Sequence, residues 1–315
     1  MDELISLSNT TLDQLSVEHP QYDRTALTPG IAHIGVGNFH RAHQAWYLHR
    51  LMQAGEAHDW AIIGAGVRPY DAAMREKLLA QDCLTTLVEL DPENISAEVV
   101  GSMIDYLPIE EGNAPLIAQM ADPAIRIVAM TVTESGYDSE HVPEGFDEPR
   151  PGWRHDVDPT GTPRTAFGAL VAALKLRRAA GHAPFTGLSC DNLQGNGDIW
   201  RQTVVSLARL SDPELADWID ANATFPNSMV DCIAPVTGPK ELALAHDFGI
   251  KDAALVTHEA FRQWGIEDKF CAGRPAWDTV GVTFSDDVHA FDTMKLLILT
   301  SCHQVISPVG STLRI

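Results

Sequence analysis

Short apolar runs alternate with longer amphipathic stretches along the first two thirds of the chain, and this alternation limits the possible folds more than any other feature. Each run is short enough to form one buried strand, and each amphipathic stretch has the period of a helix. Strands linked by helices pair in parallel, with helices covering both faces of the sheet. The sequence therefore predicts an α/β fold with a mostly parallel sheet. The predicted strands are Ile31–Ile34, Trp60–Ile63, Thr85–Glu89, Ile125–Thr133 and Phe185–Ser189, and the predicted helices are Ala42–Ala54, Tyr70–Ala80, Ala114–Met120, Thr165–Ala180 and Asp198–Leu210.

The charge balance argues against a nucleic-acid partner. The chain has 43 acidic and 22 basic residues, a formal net charge of -21, and the acidic residues are spread along it. Such a surface repels polyanions. No run of about 18 apolar residues occurs, and the N-terminal stretch lacks the basic and apolar regions of a signal peptide. We therefore expect a cytoplasmic protein that binds neither nucleic acid nor membrane.

Cysteine and histidine usage does not indicate a metal site. The five cysteines are widely spaced, which fits neither a disulfide framework nor a zinc-binding pair. His40, His43 and His49 lie close together in sequence, but no H-E-x-x-H pattern or cysteine pair supplies the further ligands that zinc needs. The sequence therefore predicts that no metal is bound.

A glycine turn follows the first predicted strand. Gly35 and Gly37 have the spacing of a dinucleotide-binding turn, in which the first glycine allows a tight bend and the second lets a pyrophosphate approach backbone N–H groups. His40 stands where that pattern has its third glycine. A G-x-G after a single strand is also common in ordinary turns, so this motif alone leaves both interpretations open.

An acidic residue follows the next predicted strand. Asp71 occupies the place where a carboxylate can accept hydrogen bonds from the adenosine ribose, and its charge would repel the 2′-phosphate of NADP. The pattern therefore favours NAD. Two alternatives remain open: Arg68 could hold that phosphate instead, and Asp71 could serve only as an acid at a helix N-terminus.

Two further polar stretches, TVTESGY and LSCDNLQGNGD, end predicted strands. Ligands bind at the carboxyl ends of parallel strands, so Glu134 could contact cofactor or substrate, and the amides of Asn192 and Asn196 could donate to a carbonyl or hydroxyl oxygen. Local turn chemistry by Asn, Asp and Gly explains either stretch alone equally well.

A lysine and a histidine share one face of the last predicted helix, which begins near Phe291. Lys295 and His303 are eight residues apart, which separates them by about 80° around a helix axis. A lysine among apolar neighbours can exchange a proton near neutral pH, because burial disfavours its charged form. The alternative is a surface lysine whose head group reaches solvent.

Six motifs together carry a resemblance to a known family. GVGNFHRAHQ, TVTESGY, SCDNLQGNGD, FPNSMVDCIAP, QWGIEDKF and MKLLILTSCH have the order and approximate spacing found in the polyol-specific long-chain dehydrogenases, which include mannitol 2-dehydrogenase, arabinitol dehydrogenase and fructuronate reductase. The resemblance extends from about Gly30 to Gly310. It implies a metal-independent, NAD(P)-linked oxidoreductase that interconverts a polyol and a ketose or reduces a keto-uronate, with mannitol and fructose favoured.

The resemblance also assigns site residues. It implies that Lys295 is the general base, that His303 binds a substrate oxygen and that Asn192 lies near the reacting carbon. At the position of Thr300 the family has an asparagine that helps to polarise the reacting oxygen, so the resemblance implies this catalytic role for the Thr300 hydroxyl. At the position of Cys232 the family has an arginine. The implied cofactor-binding residues are Gly35, Gly37, Phe39, Arg41, Asp71, Glu134, Val230 and Asp231.

The resemblance finally implies a domain organisation. Residues 1–284 are expected to form a Rossmann-like, doubly wound dinucleotide-binding domain, and residues 285–315 the first helix of a helical substrate domain of which this chain lacks most. We expect a monomer or homodimer. Alternatives are a non-catalytic NAD-binding remnant of the family, or a substrate of the arabinitol/xylulose or fructuronate class.

Overall fold

A computed structural model describes residues 4–91, 93–132, 155–156 and 161–295. Within those residues, its centre is a sheet of five parallel strands in the order β6 (Met103–Tyr106), β3 (Ala61–Ala65), β2 (Pro29–Ile34), β7 (Ile127–Met130) and β8 (Thr186–Ser189). The predicted α/β fold with a Rossmann-type parallel sheet is therefore confirmed. The strands are β1 Ile5–Ser6, β2 Pro29–Ile34, β3 Ala61–Ala65, β4 Thr85–Leu90, β5 Ile95–Val100, β6 Met103–Tyr106, β7 Ile127–Met130, β8 Thr186–Ser189, β9 Ser228–Asp231, β10 Ile250–Lys251, β11 Val256–His258, β12 Gln263–Ile266 and β13 Thr283–Phe284.

Helices cover both faces of this sheet. Neighbouring residues of a strand point to opposite faces. Ile31 therefore packs into one apolar core with Leu48 of α2 (Gln44–Gln53), and Ala32 packs into a second with Leu170 of α5 (Ala166–Ala179). Burial on both sides explains why β2 is apolar almost throughout. The helices are α1 Asn38–Ala42, α2 Gln44–Gln53, α3 Asp71–Leu79, α4 Ala114–Ala121, α5 Ala166–Ala179, α6 Asn196–Ser211, α7 Pro213–Asn222, α8 Pro239–Asp247 and α9 Val288–Met294.

The strand order places a ligand crevice at the centre of the sheet. From β2 the chain continues to β3 and β6 on one side, and then crosses back to β7 and β8 on the other. The order therefore reverses between β2 and β7. In doubly wound sheets ligands bind outside the carboxyl ends of the two strands at such a reversal, and here those ends lead into Gly35 and Thr131.

One predicted strand lies outside the central sheet. The predicted run Thr85–Glu89 corresponds to β4, which pairs antiparallel with β5 and parallel with β11 in a separate three-stranded sheet. β5 follows β4 after only a few residues, which is too short for the helical crossover that parallel pairing requires. In two further small sheets β12 pairs with both β9 and β13, and β1 pairs with β10.

The predicted helix Ala42–Ala54 is divided and begins earlier. α1 starts at Asn38, directly after the glycine turn, and the helical geometry breaks at His43, with φ -120° and ψ -92°. The His43 side chain bonds to a distant strand, since its Nε2 donates to the carbonyl of Gln263 in β12 at 2.9 Å.

At the C-terminal end, α9 covers only part of the predicted helix from Phe291. Residues 296–315 lie outside the described residues, and the boundary after residue 284, which falls between β13 and α9, stays a prediction. Within the described residues, every helix is too short or too polar to cross a membrane.

Candidate functional site

The glycine turn closes at the carboxyl end of β2. Gly35 has φ +94°, a backbone region that favours glycine, and its N–H donates to the carbonyl of Ala65 at 2.9 Å. A Cβ on Gly35 would overlap the backbone oxygen of Thr131. The bend therefore excludes a side chain for two separate reasons, backbone angle and space.

Gly37 is exposed and borders open space. It is the N-cap of α1, in extended backbone geometry, and a Cβ built on it would meet nothing within 4 Å. A ligand can therefore approach the backbone closely here, as a dinucleotide turn requires. Phe39 lies next to it and stacks on the ring of His43, with the centroids 4.7 Å apart.

His40, in place of the third glycine, is a packing residue. Its ring stacks on that of His33 in β2, with centroids 3.4 Å apart, and both side chains are fully buried. Burial, and then the neighbouring His33, hold the pKa of His40 well below its usual value. The described residues contain no group of three His, Cys, Asp or Glu side chains able to hold a metal ion.

Arg41 is buried beneath the turn and bonds to the protein itself. Its Nε donates to the carbonyl of Gly37 at 3.2 Å, its Nη2 to Oδ1 of Asn38 at 2.8 Å, and its Nη1 to the carbonyl of Ala254. Burial lowers its pKa to about 10. This geometry supports a role in shaping the turn rather than in contacting a ligand directly.

Asp71 lies at the start of α3, beyond the carboxyl end of β3. Its Oδ2 accepts from the backbone N–H groups of Val67 and Arg68, each at 3.0 Å, so the carboxylate caps the loop before its own helix. The exposed Arg68 donates to the hydroxyl of Tyr70 at 2.5 Å. Both a local capping role and a ribose-binding role are compatible with this position.

Lys295 brings the second group of site residues together. Its Nζ donates to Oδ1 of Asn192 at 2.9 Å and to the carbonyl of Val230, and lies 3.7 Å from a carboxylate oxygen of Asp231. The side chain is only 13% exposed. Oxygen acceptors, rather than the apolar neighbours expected from sequence, therefore surround this ammonium group.

Asn196 links the loop after β8 to β9, the two segments that supply these acceptors. Its Nδ2 donates to the carbonyls of Asp191 at 3.0 Å and Ser228 at 2.8 Å, and its Oδ1 accepts from the N–H of Ser228 at 2.9 Å. The side chain is fully buried. Asn196 thus joins the loop that carries Asn192 to the strand that carries Val230, and its amide serves the backbone instead of a ligand.

The turn and the Lys295 cluster occupy the same edge of the molecule. Asn38, beside Gly37, donates through Nδ2 to the carbonyl of Pro235 at 2.6 Å and to Oγ1 of Thr237 at 2.9 Å. Both acceptors lie in the loop that leaves β9 a few residues after Asp231. One segment of the chain, residues 230–237, therefore contacts Lys295 at one end and Asn38, beside the glycine turn, at the other.

Three predicted site residues, Glu134, Thr300 and His303, lie outside the described residues. His33 and Thr131 both contact Gly35, although no sequence motif indicated either of them as a site residue. A polar residue in the middle of the apolar run Ile31–Ile34 was the available signal, because a buried histidine needs a specific partner.

Comparisons with known proteins identify similar chains. A model of the mannitol dehydrogenase Rossmann domain matches residues 29–279. Mannitol 2-dehydrogenase of Cereibacter sphaeroides is 58% identical over 292 residues, which cover 93% of this chain and 61% of that protein. The enzyme of the same name from Phaeosphaeria nodorum is 43% identical over 311 residues, covering 97% of this chain and 55% of that protein.

Two solved structures are similar as well. One is Pseudomonas fluorescens mannitol 2-dehydrogenase in a ternary complex with NAD and D-mannitol, with a TM-score of 0.88 and 46% identity, covering 92% of this chain and 60% of that one. The other is a substrate-free D-sorbitol dehydrogenase, with a TM-score of 0.86 and 38% identity, covering 92% of this chain and 61% of that one. The chain thus spans less than two thirds of the length of these relatives. The match to the mannitol dehydrogenase Rossmann domain extends from β2 through β12 and includes the whole central sheet. The chain therefore belongs to the mannitol dehydrogenase family.

Proposed function

We propose that the protein is an NAD-dependent polyol dehydrogenase that interconverts mannitol and fructose. The observation that carries the proposal is the position of Lys295, held beside Asn192 at the same sheet edge as the glycine turn. The similarity to a mannitol 2-dehydrogenase that binds NAD and D-mannitol supports this substrate pair.

The turn fits the cofactor. Open space next to Gly37 leaves room for a pyrophosphate, and the carboxylate of Asp71 follows the neighbouring strand, where it can accept from ribose hydroxyls. Its negative charge favours NAD over NADP. When bound, the nicotinamide would accept or supply the hydride; the remaining chemistry belongs to the protein.

Lys295 would move the proton. In oxidation its uncharged amine takes the proton of the substrate hydroxyl, and in reduction its ammonium returns a proton to the carbonyl oxygen. The Asn192 amide, whose Oδ1 accepts from Nζ, has its own N–H groups to donate to the reacting oxygen. Asp231, at 3.7 Å from Nζ, compensates the charge of the ammonium form.

Three parts of the proposal concern residues outside the described ones. Glu134 would contact cofactor or substrate, His303 would bind a substrate oxygen, and Thr300 would supply a hydroxyl where the family has an amide. We further propose that residues 285–315 begin the helical substrate domain. Arabinitol, xylulose and fructuronate are the competing substrates, and the similarity to a D-sorbitol dehydrogenase adds sorbitol to them.

The decisive experiment combines binding and turnover. NADH titration, followed by nicotinamide fluorescence, should give saturable binding that is tighter than NADPH binding. A panel of mannitol, arabinitol, sorbitol, fructose, xylulose and fructuronate with NAD or NADH should show mannitol and fructose as the best pair. Binding without turnover of any of them would instead favour the non-catalytic remnant, and absence of NADH binding would refute both interpretations.

A lysine substitution tests the assignment of the base. Lys295→Met should lower turnover by about 10²–10⁴-fold, the usual contribution of a general acid or base, and leave NADH affinity within about twofold. Lys251→Met is the matched control, because Lys251 is exposed at the end of β10 and should tolerate the same change. Comparable turnover in the two variants would exclude Lys295 as the base.

A further inference from the structure

Three donors converge on the carbonyl oxygen of Gly35. The N–H of Gly37 lies 2.8 Å away, the hydroxyl of Thr131 lies 2.6 Å away, and Nε2 of His33 lies 3.3 Å away. Thr131 follows the carboxyl end of β7, so its hydroxyl reaches the turn across the reversal in strand order. One carbonyl at the centre of the dinucleotide turn is therefore fixed by the protein from several sides.

The same contacts define which nitrogen of His33 carries the proton. The Thr131 hydroxyl donates its single hydrogen to Gly35, so it has only lone pairs left for Nε2 of His33, 3.1 Å away. The carbonyl of Gly35 likewise only accepts. Nε2 must therefore be the protonated nitrogen, donating toward both oxygens, and Nδ1 carries the lone pair.

The surroundings of His33 keep this arrangement rigid and uncharged. Its ring lies against that of His40, which fills the place of the third glycine, and both rings are fully buried. Burial lowers the pKa of His33 to about 3, so the ring is neutral at physiological pH. His33 therefore acts through the direction of its N–H group and not through a positive charge.

We propose that His33 and Thr131 are positioning residues for the pyrophosphate of the dinucleotide, because they hold the Gly35 carbonyl away from the ligand side of the turn. A carbonyl oxygen that faced a pyrophosphate would repel it, whereas one that is bonded on the protein side leaves the ligand side of the turn without a repelling oxygen. Gly37, exposed and open on that side, is where the anion would approach. This inference rests on the proposed NAD-dependent function.

An isosteric substitution tests it. Thr131→Val keeps the side-chain shape and removes the hydroxyl, and NADH affinity should fall about three- to tenfold, as expected for one lost hydrogen bond. Thr131→Ser retains the hydroxyl and should restore affinity to within about twofold of the unmodified chain. Thr257→Val is the control, because Thr257 is a buried strand residue whose hydroxyl has no hydrogen-bond partner in the described part of the chain.

A second variant and a second ligand separate positioning from general destabilisation. His33→Phe keeps a ring for His40 to stack on but loses the N–H donor, and should weaken NADH binding in the same way. Adenosine, which lacks phosphate and competes with NADH, should bind Thr131→Val and the unmodified chain equally. Equal losses for adenosine and NADH, or an unchanged NADH affinity in Thr131→Val, would overturn the inference. If the unmodified chain fails to bind NADH, the proposed function fails first and this inference with it.

Discussion

Alanine substitutions at the two turn glycines should affect different properties of the protein. Gly35→Ala should lower its stability, whereas Gly37→Ala should leave stability nearly unchanged and weaken cofactor binding. At Gly35 an added Cβ would overlap the backbone of Thr131, and φ +94° disfavours any side chain. At Gly37 it would meet no protein atom within 4 Å, and φ is -88°, which alanine adopts freely. The two changes are chemically identical, so their difference reports only the structure of the turn.

The magnitudes follow from these surroundings. Gly35→Ala should cost about 2–4 kcal/mol, which combines a left-handed backbone penalty with a forced shift of packed backbone. At about 2 °C per kcal/mol for a chain of this size, its melting temperature should fall by about 4–8 °C. Gly37→Ala should change stability by less than about 1 kcal/mol, since a small N-cap loss is offset by a less flexible unfolded chain.

Gly37→Ala should instead lower the affinity for the cofactor. In Gly37→Ala the methyl group would occupy the space that a pyrophosphate needs, and losing one charge-assisted hydrogen bond of about 1.5–3 kcal/mol would weaken NADH binding about 10- to 100-fold. The assay is NADH titration by fluorescence beside thermal unfolding by circular dichroism. NADH binding within twofold of the unmodified chain would refute the position assigned to the pyrophosphate, and destabilisation equal to that of Gly35→Ala would refute the described turn.

Three further predictions concern charge. Asp71→Asn removes the carboxylate that should repel a 2′-phosphate, so the preference for NADH over NADPH should fall about tenfold; an unchanged ratio of dissociation constants would limit Asp71 to capping α3. Burial lowers the pKa of His33, His43 and His49 to about 3. Between pH 6.5 and 3 the unfolded chain therefore binds more protons than the folded one, so acidification lowers the free energy of unfolding. Each histidine contributes up to about 1.4 kcal/mol to this loss per pH unit. Urea unfolding at pH 7.5 and 5.5 should show this loss, and equal stability at both values would contradict it. Arg177, buried and donating to four backbone carbonyls, should not tolerate replacement by methionine, with a loss of about 3–5 kcal/mol in urea unfolding, and a loss below about 1 kcal/mol would show that those carbonyls find other donors.

The sequence alone determined the fold class. Alternating strand and helix periods are local properties of the chain, and they led correctly to a mostly parallel sheet covered on both faces. The bend at Gly35 was predictable for the same reason, because a turn that needs positive φ favours glycine wherever it occurs. The positions of the motifs along the chain likewise indicated the family.

Tertiary structure decided what periodicity cannot encode. The strand β4 has an ordinary strand sequence, and only the short connection to β5 and the packing of β11 place it in a separate sheet. At the helix break, His43 bonds to Gln263, a partner far away in sequence.

The site shows the same division. Sequence motifs indicated Lys295 and Asn192 separately, but the contact between them spans more than a hundred residues and exists only once the strands are paired. His33 read as part of an apolar strand, and its bonds to Gly35 and Thr131 appear only when β2 lies beside β7. Local propensity acts within a few residues, whereas hydrogen-bond partners are chosen by which strand ends the fold brings together, and this physical difference separates what the sequence determined from what the tertiary structure decided.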